Sequence, residues 1–227
     1  MMQVLKSVIP LWLEIGNSTG INMTPPTDIK TIGVFGGTFD PIHNGHLAIA
    51  EFVRLKLSLD RVIFVVANDQ WLRKYPPEAS ATDRFKMVEL AVKNRTYFSA
   101  SNVDIVRHGH TYTIDTLRDL HAQLGDSVVM KLIIGTDAAN SFHQWKCVEE
   151  IQSFATVVVV GRPAIRVNSP LLGSDLDIDI QMEYLEGPMV DVSATMIRNF
   201  NKCHKQIEKL TTQAVTDYIK TKGLYLE

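Results

Sequence analysis

The chain is nearly without cysteine. Its 227 residues hold two, Cys147 and Cys203, in no motif. That speaks against a disulfide framework or a cysteine-based zinc site and fits two free thiols in a reducing compartment. A dominant charge sign is missing too. Lys and Arg number 23 against 25 Asp and Glu, a formal net charge of -2, so no global footprint of nucleic-acid binding exists and any anion site must be local. No apolar run is long enough to span a bilayer. The N-terminal "MMQVLKSVIPLWLEIGNSTGINM" is interrupted by Pro10 and Glu14 and has no A-x-A-like cleavage site, so it reads as too short to span a bilayer and as a poor signal peptide. Residues 1–29 are expected to form a poorly ordered extension, 30–227 the domain, and the protein to be cytoplasmic. Internal repeats and low-complexity tracts are absent, as are G-x-G-x-x-G and a Walker A loop.

What is present is ordinary folding material, 45% hydrophobic and 21% charged residues, enough to bury a sizeable core. From Thr31 the pattern alternates. "TIGVFGG", "RVIFVVA", "SNVDIV", "VVMKLIIG", "ATVVVVG" and "IQMEYLE" are expected strands, several of them near-continuous Val/Ile runs. Helices are expected in "NGHLAIAEFVRLKLSL", with apolar residues at helical spacing, in "TDRFKMVELAVKN" with Thr82 as N-cap, and in "YTIDTLRDLHAQL" up to Gly125. "SATMIRNFNKCH" and "LTTQAVTDYIKTKG" are expected C-terminal helices, and "RPAIRVNSPLLGSDLDID" a long linker. This order predicts an α/β fold: a Rossmann-like, doubly wound parallel sheet with helices on both faces.

Ligands of such sheets sit outside the carboxyl ends of the strands, and the notable residues collect there. Gly36, Gly37 and Thr38 follow the first strand, Asn68 to Lys74 the second. Gly135 to Asp137 follow "KLII", and Ser193 opens a helix after the last strand. Gly36 and Gly37 suit a close backbone approach by a ligand, or a plain strand-to-loop bend. His43 and His46 flank Asn44 and Gly45 where a helix begins. Two imidazoles on one side of a first turn suit phosphate oxygens, and Gly45 is expected to leave room for the ligand. A metal site is the rival reading, but no third ligand stands at the needed spacing. Asp40, before Pro41, reads as a turn residue. His108 and His110 read as merely exposed.

"GGTFDPIHNGHL" resembles the signature of the HxGH nucleotidylyltransferases, and "VSATMIR" (Val192 to Arg198) their second motif. "IIGTDAANSFHQWK" and "YTIDTL" narrow the likeness to the bacterial nicotinate mononucleotide adenylyltransferases. The resemblance covers about Thr31 to Leu226 and implies a nucleotidylyltransferase-type fold that joins ATP and nicotinate mononucleotide. It implies His43, His46 and Arg198 as catalytic residues. ATP would meet Gly36, Gly37, Thr38, Phe39, Gly135, Asp137, Ser193 and Thr195 as well. The acceptor would meet Asn68, Trp71, Lys74, Tyr112, Thr113 and Trp145, with Trp145 stacking on the pyridine ring unless it is a core residue. Mg²⁺ is implied with ATP, held by phosphates and water rather than by a protein cage. No nucleic-acid or membrane partner is implied, and a homo-oligomer is left open. The loop "NDQWLRK" departs from the common proline-rich version. Nicotinamide mononucleotide or phosphopantetheine are alternative acceptors for the same machinery. A non-catalytic nucleotide-binding module is the alternative from another class.

Overall fold

The computed structural model describes residues 29–72, 75–161 and 181–226. The expected extension, the linker "RPAIRVNSPLLGSDLDID" and Lys74 therefore lie outside the described residues, apart from Ile29. In chain order the elements are β1 (Thr31–Gly37), α1 (Asn44–Lys56), β2 (Arg61–Val66), β3 (Asp69–Gln70), α2 (Ala81–Val92), β4 (Phe98–Ser101), α3 (Val103–Arg107) and β5 (His110–Thr111). Then come α4 (Thr113–Leu124), β6 (Val129–Gly135), α5 (Thr136–Asn140), α6 (Ile151–Phe154), β7 (Ala155–Gly161), β8 (Met182–Glu186), α7 (Ala194–Lys202) and α8 (Gln213–Lys222).

Six strands form one parallel sheet in the order β4-β2-β1-β6-β7-β8. The chain builds outward from β1 on one side and from β6 on the other, so the order reverses between these two neighbours. The burial pattern explains the unbroken apolar runs. Val62, Phe64 and Val66 of β2 face a core with α1, α2, α7 and α8, while Ile63 and Val65 face a second core with α4 and α6. β7 divides likewise, Val158 and Val160 to the first core, Val157 and Val159 to the second. A strand buried on both faces has no polar side to show.

The structure corrects several local expectations. "SNVDIV" is not a strand: β4 ends at Ser101, and Val103–Arg107 is helical. Helix α2 is capped by Ser80, not Thr82; the Ser80 hydroxyl accepts from Asp83 N at 3.1 Å. The loop after β2 contains a short strand, β3, paired in parallel with β5. His108 and His110 are exposed as expected, but His110 Nδ1 lies 2.8 Å from Asp69 Oδ2 across that small sheet.

Candidate active site

The candidate residues gather at the carboxyl ends of β1 and β6, in two adjoining zones. The first is built on the start of α1. His43 is its N-cap residue and His46 lies in its first turn. Their rings stack at 3.6 Å between centroids. Backbone N–H of His43 donates to His46 Nδ1 at 3.2 Å. In the neutral ring this leaves the proton on Nε2, as a donor. His43 Nδ1 is buried without a hydrogen-bond partner. The helix start is braced from the C-terminal region: Asn44 N donates to Leu210 O at 2.9 Å and Thr211 Oγ1 to Ile42 O at 2.8 Å. Contrary to the expectation from sequence, Gly45 does not leave space for a ligand. A Cβ there would lie 3.0 Å from His43 Nδ1 and 3.1 Å from Val192 Cγ1, so the glycine makes room for the chain's own histidine and for the segment leading into α7.

Burial pushes His43 down to about 4. Burial and the neighbouring His43 push His46 well below its ordinary value. Both are neutral near pH 7 in the free protein, not cationic. An unfolded chain takes up a proton on His43 near pH 6.5, whereas the folded chain waits until about 4. Stability is therefore full above pH 6.5 and is lost as pH falls toward 4. Between pH 7.5 and 5 the loss from this residue is expected to be about 2 kcal/mol. Urea unfolding of the wild type and His43→Gln at both pH values measures it; equal pH slopes would remove His43 as the cause.

The second motif arrives on α7. Ser193 caps that helix, its hydroxyl accepting from Met196 N at 3.1 Å. One turn on, Arg198 donates from Nε to Glu78 Oε1 at 2.8 Å, from one terminal nitrogen to Asp40 O at 2.8 Å, and from the other to Thr195 Oγ1 at 3.3 Å. Asp40 is more than a turn residue. It is 2% exposed. Its carboxylate accepts from Glu78 N, Ala79 N and the Tyr225 hydroxyl, at 2.8, 3.1 and 2.8 Å. The HxGH loop, the approach to α2 and the C-terminal tail are thus tied at one carboxylate.

The second zone is a cavity of about 330 Å³ between the ends of β1 and β6. Gly36, Gly37 and Gly135 line it, with Gln70, Trp71, Leu72, Thr111, Thr113, Trp145 and Lys146 among its walls. Gly36 and Gly135 leave it open: a Cβ at either would meet nothing within 4 Å. Phe35 lines the cavity, and its ring lies 6.2 Å from the His46 ring between centroids, so the two zones adjoin at this residue. Trp145 packs on Phe142 at 4.8 Å and still lines the cavity, which a core role alone does not require.

The expected residues fall into distinct places. Tyr112 caps α4 beside the cavity and packs on Trp71 at 5.8 Å. Asn68 does not line it; its side-chain amide donates to Gly109 O at 2.9 Å and its N–H to Thr111 Oγ1 at 2.9 Å. Thr38 donates to Gln70 Oε1 at 2.6 Å. Phe39 goes into the core, 2% exposed with φ 50°, and its ring lies where a Gly37 Cβ would stand, 2.8 Å away. Its side chain is therefore not offered to a nucleotide. Asp137 and Thr195 are exposed, in the first turns of α5 and α7.

Sequence reasoning missed three groups. Lys146 lines the cavity, 3.0 Å from Asp115 Oδ2 and 4.4 Å from the Tyr112 ring centroid. Asp104 is 2% exposed on the cavity wall and accepts from Thr116 and Arg107; burial raises its carboxyl above the usual range. Glu78 holds Arg198. Among the described residues no cluster of three His, Cys, Asp or Glu could hold a metal ion, and Asp40 is fully engaged.

A sequence model of the cytidylyltransferase-like family matches residues 34–200. The chain is 38% identical over 204 residues to a probable nicotinate-nucleotide adenylyltransferase of Corynebacterium kroppenstedtii, covering 90% of this chain and 95% of that one. It is 38% identical to a protein of the same description from Roseiflexus, covering 86% and 97%. The fold is similar to that of Plasmodium falciparum nicotinic acid mononucleotide adenylyltransferase complexed with NaAD, with a TM-score of 0.64 at 18% identity, covering 86% of this chain and 97% of that one. Identity at that level speaks for the fold alone, but the sequence matches span nearly the whole length of their relatives. With the HxGH turn and the Ser193–Arg198 helix brought together at the strand-order reversal, this chain belongs to the cytidylyltransferase-like family, among its nicotinate-nucleotide adenylyltransferases.

Proposed function

We propose that this protein transfers the adenylyl group of ATP to nicotinate mononucleotide, giving deamido-NAD and pyrophosphate. The observation that carries the reading is the pairing of two zones across Phe35: a cavity with an aromatic wall and donors, and a ledge of imidazoles and a guanidinium. The names of the relatives agree with it. A phosphate oxygen of the acceptor attacks the α-phosphorus, and the bond from that phosphorus to the bridging oxygen breaks. Pyrophosphate leaves with the electron pair. The acceptor phosphate is already an anion, so no base is needed; positioning and charge stabilisation remain. His46 Nε2–H and His43 hold the α-phosphate oxygens, while Ser193, Thr195 and Arg198 hold the leaving phosphates. Gly36, Gly37 and Gly135 give the nucleotide close access to the strand ends, and Asp137 meets ribose hydroxyls. Mg²⁺ enters bound to ATP, as part of the substrate.

In the cavity Trp145 stacks on the pyridine ring, with Thr113 and Lys146 beside its carboxylate. For the amide a donor faces a donor, a loss of about 1–3 kcal/mol, and attraction to Lys146 is lost as well. The acid is therefore expected to be favoured over nicotinamide mononucleotide at least tenfold, and roughly a hundredfold where both effects act. Trp145→Ala is expected to raise KM for both acceptors while keeping the ratio. Measuring kcat/KM for the two acceptors with saturating Mg-ATP tests this. Equal values would leave a general pyridine-nucleotide adenylyltransferase, and no pyrophosphate release with either would leave a binding module.

A further inference from the structure

Glu78 does something the reaction does not ask of it. Its two carboxylate oxygens hold two different cations: Oε1 lies 2.8 Å from Arg198 Nε and Oε2 lies 3.2 Å from Lys202 Nζ. Arg198 and Lys202 stand four residues apart on α7, on one face of the helix. Two cations gathered on one anionic group, beside a helix that starts at the second motif, have the layout of a phosphate clamp with a carboxylate in the phosphate's place. Glu78 is also fixed in position, since its backbone N–H and that of Ala79 both donate to buried Asp40. Its side chain can leave by rotation while its backbone stays.

We propose that Glu78 is an internal stand-in for the departing phosphates of ATP, and that Lys202 is a second pyrophosphate-binding cation beside Arg198. This rests on the reading that Arg198 faces the ATP phosphates. With the site empty, Glu78 keeps the Arg198–Lys202 pair together and offsets one of its two charges, while Asp40 Oδ2 stands 3.9 Å from the Arg198 guanidinium. A polyphosphate carries more charge than one carboxylate and takes both cations from it, and the freed Glu78 turns to solvent, where it is already 39% exposed. Glu78 thereby lowers affinity for pyrophosphate, which favours its release after transfer.

The test uses inorganic pyrophosphate with Mg²⁺ as the probe, its binding measured by calorimetry in the full chain, so that it does not depend on turnover. Lys202 and Glu78 are partly exposed, so Lys202→Met and Glu78→Gln are expected to fold. Lys202→Met is expected to weaken pyrophosphate about fivefold and raise KM for ATP to match, with KM for nicotinate mononucleotide within about twofold. Glu78→Gln is expected to tighten pyrophosphate roughly two- to fivefold, because a competitor is removed. Unchanged pyrophosphate affinity in Lys202→Met, weaker affinity in Glu78→Gln, or no binding to the wild type overturns the proposal. Failure of the wild type to form deamido-NAD, with these binding changes present, overturns instead the assignment of the acceptor.

Discussion

His46→Ala is expected to lower kcat about 10²–10³-fold while the protein stays folded. The His46 ring accepts from the His43 backbone at its Nδ1, which directs the remaining proton to Nε2. Burial and His43 keep the ring neutral, so it serves as a fixed hydrogen-bond donor and not as a charge. Such a donor acts most strongly where negative charge shifts during transfer, at the oxygens around the α-phosphorus. The effect should therefore fall on kcat more than on KM for ATP. The cost to stability is about 1–3 kcal/mol, because the N–H of buried His43 loses its acceptor and the ring its stacking on His43. Steady-state kinetics with both substrates, alongside near-ultraviolet circular dichroism, separates the two. A variant within a few-fold of the wild-type kcat would remove His46 from the reaction.

That such a residue could be picked from sequence follows from where this fold stores its information. Strands buried on both faces must be continuous apolar runs, so β1, β2, β6 and β7 stand out without any structure. The residues just beyond them must then lie at one edge of the sheet, which placed Gly36, His43 and Gly135 together. Other features depend on contacts over long separations and leave little local trace. Asp104 sits among Val103, Ile105 and Val106, and that β-branched run reads as a strand. Only the Arg107 and Thr116 partners, reached through α3 and α4, make a buried carboxylate tolerable there. Gly45 looked like room for a ligand because the position of Val192, far along the chain, is invisible locally. Asp40 looked like a turn residue because its partners, Glu78 and Tyr225, are remote in sequence. Nothing local to Lys146 shows that its ammonium reaches Asp115 and the Tyr112 ring at the cavity. Arg84 followed the same rule, an arginine on an amphipathic helix with no local sign that it is buried.

Arg84→Met is expected to destabilise the protein by about 3–5 kcal/mol and to loosen both zones of the site together. Arg84 is 1% exposed. Its guanidinium donates to Ala79 O at 3.3 Å, to Thr38 O and Ala67 O at 2.7 Å each, and to Asn68 O at 3.0 Å. Those carbonyls belong to the loop after β1, the end of β2 with the loop beyond it, and the start of α2. One side chain thus spans the backbone that positions Thr38 on the phosphate side and Gln70 and Trp71 on the cavity side. Methionine fills similar volume but leaves these acceptors without their donor, at Ala79 O and Ala67 O in buried surroundings, which is the costly case for buried polar groups. For a chain of this length the loss should lower Tm by roughly 10 °C. Arg84→Lys keeps the charge, but a single ammonium cannot cover acceptors spread around a planar fork, so it should recover less than half of the loss. Because the loops move together, KM for ATP and for the acceptor should both rise in Arg84→Lys, in contrast to the kcat effect of His46→Ala. Thermal and urea unfolding, with two-substrate kinetics on Arg84→Lys at a temperature where it is folded, provide the check. A loss under about 1 kcal/mol for Arg84→Met would mean that water or rearranged backbone replaces the guanidinium, and that the other bonds of the loops hold them without it.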